Sequence, residues 1–325
     1  MKSKHILASI LAIAVLATCL DSRPSVAASP DSPSVLDIEP NDSARDRVVP
    51  IRVYLAEGTQ PQPVILVSHG LGGSRETKAY LGKHWSAAGF HCVFMQHAGS
   101  DRDLLRSLPF GKKLSGFKKA ANLQNSMDRI GDVSFVLDQL EKWDQDKTHP
   151  LHHKFDFDHV GISGHSFGAA TTLSVAGRMY PMRRSFAEPR IKAFLAMSPQ
   201  PAQNISVENA FGSIDQPFLC MTGTKDSSPI TPSVTPDSRQ SVYRAMPTGD
   251  KFQLVLHDGT HSAFGDEGLR RTDTRNPNHH QAIKKISTEF WKAYLTDDAN
   301  AKRWLQSNQP ATDGTLEPKD TWESK

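Results

Sequence analysis

The sequence predicts an α/β fold with a mostly parallel central sheet and helices on both of its faces. Three observations carry this expectation. Short continuous apolar runs, such as Val64-Ile65-Leu66-Val67, His91-Cys92-Val93-Phe94-Met95 and Phe218-Leu219-Cys220-Met221, read as strands covered on both sides. Stretches of helical periodicity alternate with these runs, and a β–α alternation builds a parallel sheet. A G-x-S-x-G pentapeptide, Gly164-His165-Ser166-Phe167-Gly168, joins the apolar run 159–163 to the small-residue helical stretch 169–176.

The chain begins with a basic segment, Met1-Lys2-Ser3-Lys4, an apolar run from Ile6 to Leu16, and small residues at Val26-Ala27-Ala28. This is the pattern of a cleavable signal peptide over residues 1–28, with an apolar stretch too short for a comfortable membrane span. The alternative is a lipoprotein anchor at Cys19, which the preceding threonine fits poorly. The expected location is therefore secreted or periplasmic. The formal net charge of +3 includes a net +2 from Lys2, Lys4 and Arg23 against Asp21 in that leader, so the mature chain is nearly neutral. Such a balance offers no electrostatic case for nucleic acid or an anionic membrane.

Residues 29–45, rich in Ser, Pro and Asp, read as a flexible linker. The early strands begin within 48–54. The run 64–68 is the next strand and leads into His69-Gly70-Leu71-Gly72-Gly73, a glycine-rich turn that lets backbone N–H groups approach a ligand. A helix over 74–88 ends at Gly89, and the strand 91–95 follows. Residues 97–121 read as a solvated loop with Phe110, Leu114 and Phe117 among four lysines; it could border a pocket as a lid. Residues 122–143 form a long amphipathic helix, with Met127, Ile130, Val133, Val136, Leu137 and Leu140 on one face.

At the pentapeptide the pattern is that of a nucleophile elbow. A serine hydroxyl is a weak nucleophile unless a base takes its proton and a tight turn presents it at a strand end. The turn crowds its flanks, which is why glycines stand at 164 and 168. This arrangement requires two backbone donors for an oxyanion, assigned to the N–H groups of Leu71 and Phe167, and then an acid and a histidine further along. After the strand 191–196, the run 216–225 reads as a strand ending at Asp226, beyond the carboxyl edge where open α/β sheets place their chemistry. Asp226 is the expected acid; Asp215, Asp237 and Asp258 are weaker candidates because none closes a strand in this way. The last strand, 252–257, leads to Asp258-Gly259-Thr260-His261, and His261 is the expected general base. Its rival His257 reads as a packed, hydrogen-bonded side chain inside the sheet region. Residues 227–240, with three prolines, form a second candidate wall of the site. A helix over 282–295 closes the domain, taken as 46–305, and residues 306–325 read as a loose tail.

Two cysteines remain after the leader, Cys92 and Cys220, in strands expected not to be neighbours, so both are expected to be buried thiols without a disulfide. The adjacent pairs His152-His153 and His279-His280 lack carboxylates at ligand spacing and are not expected to bind metal.

With these pieces laid out, the chain resembles the bacterial dienelactone-hydrolase-like group of α/β-hydrolases and is similar to the secreted platelet-activating-factor acetylhydrolases. The likeness rests on Ser68-His69-Gly70-Leu71-Gly72, Ala88-Gly89-Phe90, His97-Ala98-Gly99-Ser100-Asp101-Arg102 and Gly164-His165-Ser166-Phe167-Gly168-Ala169, and it covers roughly residues 48–300. It implies the α/β-hydrolase fold and a carboxylic ester hydrolase that works through an acyl-enzyme without a cofactor. Ser166 would be the nucleophile, His261 the base and Asp226 the orienting acid, on a small-molecule or lipid-like ester. Two departures matter. Acetylhydrolase relatives take their acid from the strand after the nucleophile helix, but here that strand ends Ala196-Met197-Ser198-Pro199 without a carboxylate, which favours Asp226. Dienelactone hydrolases use a cysteine nucleophile where this chain has Ser166. Further readings are a phospholipase A2 or acetylhydrolase-like enzyme, a polyester hydrolase, and a non-catalytic binding protein on the same scaffold.

Overall fold

Nine strands form one sheet in a computed structural model that describes residues 33–228, 230–266 and 276–325. The signal peptide, Cys19 and residues 29–32 of the expected linker lie outside the described residues. In chain order the strands are β1 (Ser34–Ile38), β2 (Asn41–Asp42), β3 (Arg47–Val48), β4 (Ile51–Leu55), β5 (Gln62–Ser68), β6 (His91–Met95), β7 (Phe155–His165), β8 (Ile191–Met197), β9 (Phe218–Lys225), β10 (Lys251–Thr260) and β11 (Thr321–Ser324). The helices are α1 (Ala79–Ala87), α2 (Arg102–Ser107), α3 (Lys113–Ala120), α4 (Leu123–Gln145), α5 (Phe167–Val175), α6 (Val207–Phe211), α7 (Pro236–Ala245), α8 (Pro277–Leu295), α9 (Ala299–Gln306) and α10 (Gln309–Thr312).

The sheet order is β1-β4-β6-β5-β7-β8-β9-β10-β11, and β2 pairs separately with β3. From β6 to β10 all neighbours are parallel, while β1, β4 and β11 are antiparallel. The protein is thus an α/β structure with a large, mostly parallel central sheet. The apolar runs explain this directly. On β5, Val64 and Leu66 enter one core while Ile65 and Val67 enter the other; on β9, Phe218 and Cys220 face opposite to Leu219 and Met221. A strand with apolar side chains on both faces must be covered twice. Side chains of α4, α5, α6 and α7 cover one face, and those of α1, α8 and α9 the other. Cys92 on β6 and Cys220 on β9 are free and buried, on strands separated by three others.

Four expectations need correction. Residues 34–38 are not linker: they form an edge strand on β4, clasped by Arg52, which donates to both oxygens of Asp37 at 2.8 and 2.7 Å. The tail after 306 is not loose either. It folds into α10 and β11, where Trp322 stacks on Phe252 with centroids 5.7 Å apart and donates to Leu305 O at 3.1 Å. The compact unit accordingly runs from Pro33 to Lys325 rather than over 46–305. The helix expected from residue 74 starts only at Ala79, because Lys78 is left-handed (φ 68°, ψ 35°) and cannot continue a right-handed helix. Finally, 97–121 is not an irregular loop; it carries α2 and α3, and Leu105 and Phe117 close over Gly72. The side chains of Phe110 and Leu114 lie outside what the structure describes.

Candidate active site

Ser166 stands alone between the end of β7 and the start of α5, with φ 56° and ψ −113°. A non-glycine residue in this region is strained, typically by about 1–3 kcal/mol. The strain is held from both sides. The Ser166 N–H donates to Met197 O at 3.0 Å. A Cβ at Gly164 would lie 2.1 Å from Gly168 O, and one at Gly168 would lie 1.9 Å from Ser68 O. Backbone therefore packs against backbone around the turn, and the serine side chain is left partly open to solvent.

Ser166 Oγ lies 2.9 Å from His261 Nε2, and His261 Nδ1 lies 2.7 Å from Asp226 Oδ1. Residues 95 and 35 positions from the histidine are thus joined in one chain of hydrogen bonds. An ionised carboxylate only accepts, so Nδ1 carries the proton and Nε2 accepts from the hydroxyl. His261 begins a short turn just after β10, whose register shifts beyond Leu256, and Asp226 follows β9 directly. Asp226 is fully buried. Burial opposes its ionisation, but the His261 hydrogen bond and the Arg239 charge outweigh that and hold its carboxyl below the usual value.

The rival residues stand elsewhere. Asp258 pairs with exposed Lys225 at 3.0 Å, Asp237 pairs with Arg244 at 2.7 Å on the surface, and Asp215 is exposed. His257 is not packed into the sheet as expected. Its side chain is 38% exposed, and it lies beyond Leu256, where the regular pairing of β10 with β9 breaks off.

The 69–73 turn packs beside the elbow. Gly70 O accepts from His69 Nδ1 at 2.6 Å and from the Gly73 N–H at 3.0 Å, while His69 Nε2 accepts from the His97 N–H at 3.0 Å. These bonds fix the Gly70–Leu71 peptide plane. Its carbonyl points to His69, so the Leu71 N–H points the opposite way. Among the described residues neither the Leu71 nor the Phe167 N–H has a hydrogen-bond partner. Both are free to donate to an oxyanion.

Compared with known proteins, the sequence matches no family model and no curated relative.

Several polar residues of this region carried no readable signal in the sequence. Thr222 donates to Asp226 Oδ2 at 3.0 Å. Arg239 is fully buried; its Nε lies 3.1 Å from Asp226 Oδ1 and donates to Asp226 O at 2.8 Å, and its Nη1 donates to Ser198 O at 2.9 Å. His165, the second residue of the pentapeptide, stands 3.1 Å through Nε2 from His261 O. Burial and the nearby charges of Lys78, His261 and Arg239 hold its pKa well below that of free histidine, so it is neutral and donates this bond. A buried arginine on an amphipathic helix and a histidine inside a motif look like surface residues until the packing is known.

A second Ser–His–Asp chain lies in the core. Ser68 Oγ meets His97 Nε2 at 2.9 Å, and His97 Nδ1 meets Asp132 Oδ2 at 2.8 Å. Its members are at most 1% exposed, so no substrate reaches it. Burial and the Arg129 charge lower His97 to about 4, against the pull of Asp132. Burial resists ionisation of Asp132, yet hydrogen bonds from His97 and Arg47 bring it to about 2. Access, rather than the residue types, separates this chain from the one at Ser166.

His279, Glu317 and Asp320 bring ligand atoms within 4.8 Å of one another. Their atoms are engaged otherwise. His279 Nε2 donates to His257 O at 3.0 Å, Asp320 accepts from the His257 and Glu317 N–H groups, and Glu317 accepts from the Asn276 and Asn278 side chains. The cluster clasps the C-terminal segment to β10. His280 stacks on Tyr80, and His152 bonds Asp144 O at 2.7 Å. Among the described residues no helix is long and apolar enough to cross a membrane.

Proposed function

We propose that this protein is an exported serine hydrolase of α/β-hydrolase fold that cleaves carboxylic esters through an acyl-enzyme. The observation that carries the reading is the partly exposed Ser166–His261–Asp226 hydrogen-bond chain, built on a strained turn. Ser166 Oγ attacks the ester carbonyl while its proton passes to His261 Nε2. Asp226 holds the imidazole in the required tautomer and stabilises its charge. The carbonyl oxygen, now negative, is received by the N–H groups of Leu71 and Phe167. His261 then gives its proton to the leaving alkoxide, and the acyl group stays on Ser166. Water, deprotonated by His261, attacks the acyl carbonyl, and collapse of the second oxyanion returns the proton to Ser166 and releases the acid. Every step uses side chains or backbone of this chain, and none calls for a cofactor. Export rests on the leader sequence alone.

Ser166→Ala tests the reading. Mature protein carrying this change is expected to lose p-nitrophenyl acetate turnover and labelling by a fluorophosphonate probe while its circular dichroism spectrum stays the same. Full turnover in the variant would sink the proposal. An inert wild-type hydroxyl would instead favour a binding protein on this scaffold.

A further inference from the structure

Arg129, on α4, is 0% exposed, yet its partners are all neutral. Nη1 donates to His69 O at 2.7 Å and Nε donates to Ser100 Oγ at 2.9 Å. The guanidinium carbon lies 4.4 Å from the centroid of the Phe167 ring. Asp132, on the same helix, directs its carboxylate to Arg45, Arg47 and His97 instead. A buried cation without a carboxylate in contact is costly, commonly by several kcal/mol. A leucine or methionine would fill such a core position without that cost. What Arg129 touches is informative. Among these contacts, one holds the carbonyl at the start of the 69–73 turn, and another holds the side chain of the residue after Ser166. These two segments carry the two free N–H groups assigned to the oxyanion.

We infer that Arg129 is a positioning residue for the oxyanion site: it bridges the turn that bears the Leu71 N–H and the helix start that bears the Phe167 N–H, and beyond the backbone contact at Gly168 it steadies how the two donors are aimed. The inference rests on the serine-hydrolase reading and deepens it. The two donors come just beyond the ends of neighbouring strands, β5 and β7, whose ladder stops at the Ser68–Gly164 pair, and among the described residues no backbone hydrogen bond ties Leu71 to Phe167. The bond to His69 O stiffens one donor segment. The cation–π contact, strengthened by the absence of water around it, draws the other toward it. Misplaced donors still bind a neutral ester but grip the tetrahedral oxyanion poorly, because preorganised donors act where charge develops. The positive charge behind both donors further favours the anionic state over the ground state.

The test compares Arg129→Met, which keeps volume without charge, with Arg129→Lys and with Phe167→Leu, which removes the ring but retains the backbone donor. Turnover of p-nitrophenyl acetate is measured beside inhibition by a trifluoromethyl ketone, whose serine adduct carries an oxyanion. Arg129→Met is expected to lower kcat about tenfold to a hundredfold with KM within about threefold, and to weaken the ketone by the same factor as kcat/KM. Arg129→Lys should recover part of both losses, and Phe167→Leu should show the same pattern to a smaller extent. A folded Arg129→Met with wild-type kcat and ketone affinity overturns the inference, as does a loss confined to KM. If Arg129→Met does not fold, wild-type kcat and ketone inhibition in Phe167→Leu overturns it. Failure of wild-type protein to turn over any ester or to label at Ser166 would fell the underlying reading and this inference together. An active wild type beside unaffected variants would fell the inference alone.

Discussion

Asp226 Oδ1 lies 2.7 Å from His261 Nδ1, and the aspartate side chain has no solvent exposure at all. A fully desolvated carboxylate facing a partly exposed imidazole orients the ring from behind without competition from water. Asp226→Asn keeps the shape but offers an amide that can donate to Nδ1, which favours the wrong tautomer. On the proposed mechanism kcat falls about 10⁴-fold with little change in KM. Steady-state kinetics on the folded variant check this, and a loss below tenfold would remove Asp226 from the mechanism.

Arg239 and Asp226 form a pair in which both side chains are buried. Removing one partner of such a pair strands the other charge and typically costs about 3–5 kcal/mol. Arg239→Met should therefore lower unfolding free energy by that amount in urea titrations. In the Asp226→Asn background the same change should cost distinctly less, since the stranded charge is gone. Equal costs in both backgrounds would show that the two residues are not coupled.

Ser166 holds a positive φ that glycine adopts freely. Ser166→Gly and Ser166→Ala should both be inactive, but the glycine variant should be the more stable by about 1 kcal/mol, because it releases the strain that alanine retains. Thermal melts of the two variants decide the matter. A more stable alanine variant would mean that the turn stores no strain.

Trp322 covers Phe252 at the edge of the sheet, and Lys325 N donates to Lys251 O at 3.0 Å. Deleting residues 321–325 uncovers an aromatic face and leaves β10 as an open edge. The expected cost is about 2–3 kcal/mol, with a raised tendency to aggregate. Calorimetry and light scattering would show it, and an unchanged melt would return this segment to the status of a loose tail.

His91 and His97 are buried, and desolvation brings each down to about 4; His69 and His165 are also held well below the ordinary value, chiefly by burial. Unfolded histidine titrates near 6.5, so the unfolded chain binds protons that the folded chain refuses. The stability these rings contribute is complete above pH 6.5 and is lost as pH falls toward 4. Melting temperature should drop across that window, with close to one proton taken up per ring on unfolding. His91→Gln, whose side-chain oxygen can still accept from the Ala56 N–H, should reduce the slope by about one proton. A melt independent of pH between 6.5 and 4 would contradict the buried, neutral state of these rings.

Much of this architecture was legible locally. The doubly apolar strands announced a sheet covered on two faces, because a strand's alternation reports what lies above and below it. Gly164 and Gly168 announced a turn in which backbone meets backbone, and Asp226 and His261 stood out because each follows a strand end. The helices of 97–121 are not legible in the sequence, because glycine, proline and clustered lysines break the apolar period. Strand β11 is not legible either, because one tryptophan among polar residues does not look like a strand.

The sequence alone therefore determined the strand and helix alternation of the central sheet, the turn at Ser166, and where along the chain an acid and a histidine could meet it. These follow from steric and periodic rules that act over a few neighbouring residues. Only the tertiary structure decided which carboxylate reaches His261, that Arg129 and Arg239 are buried, that a second Ser–His–Asp chain is sealed in the core, and that residues 34–38 and 321–324 form the two edges of the sheet. Desolvation, charge pairing and edge pairing depend on partners tens of residues away, and no local pattern encodes what will stand opposite.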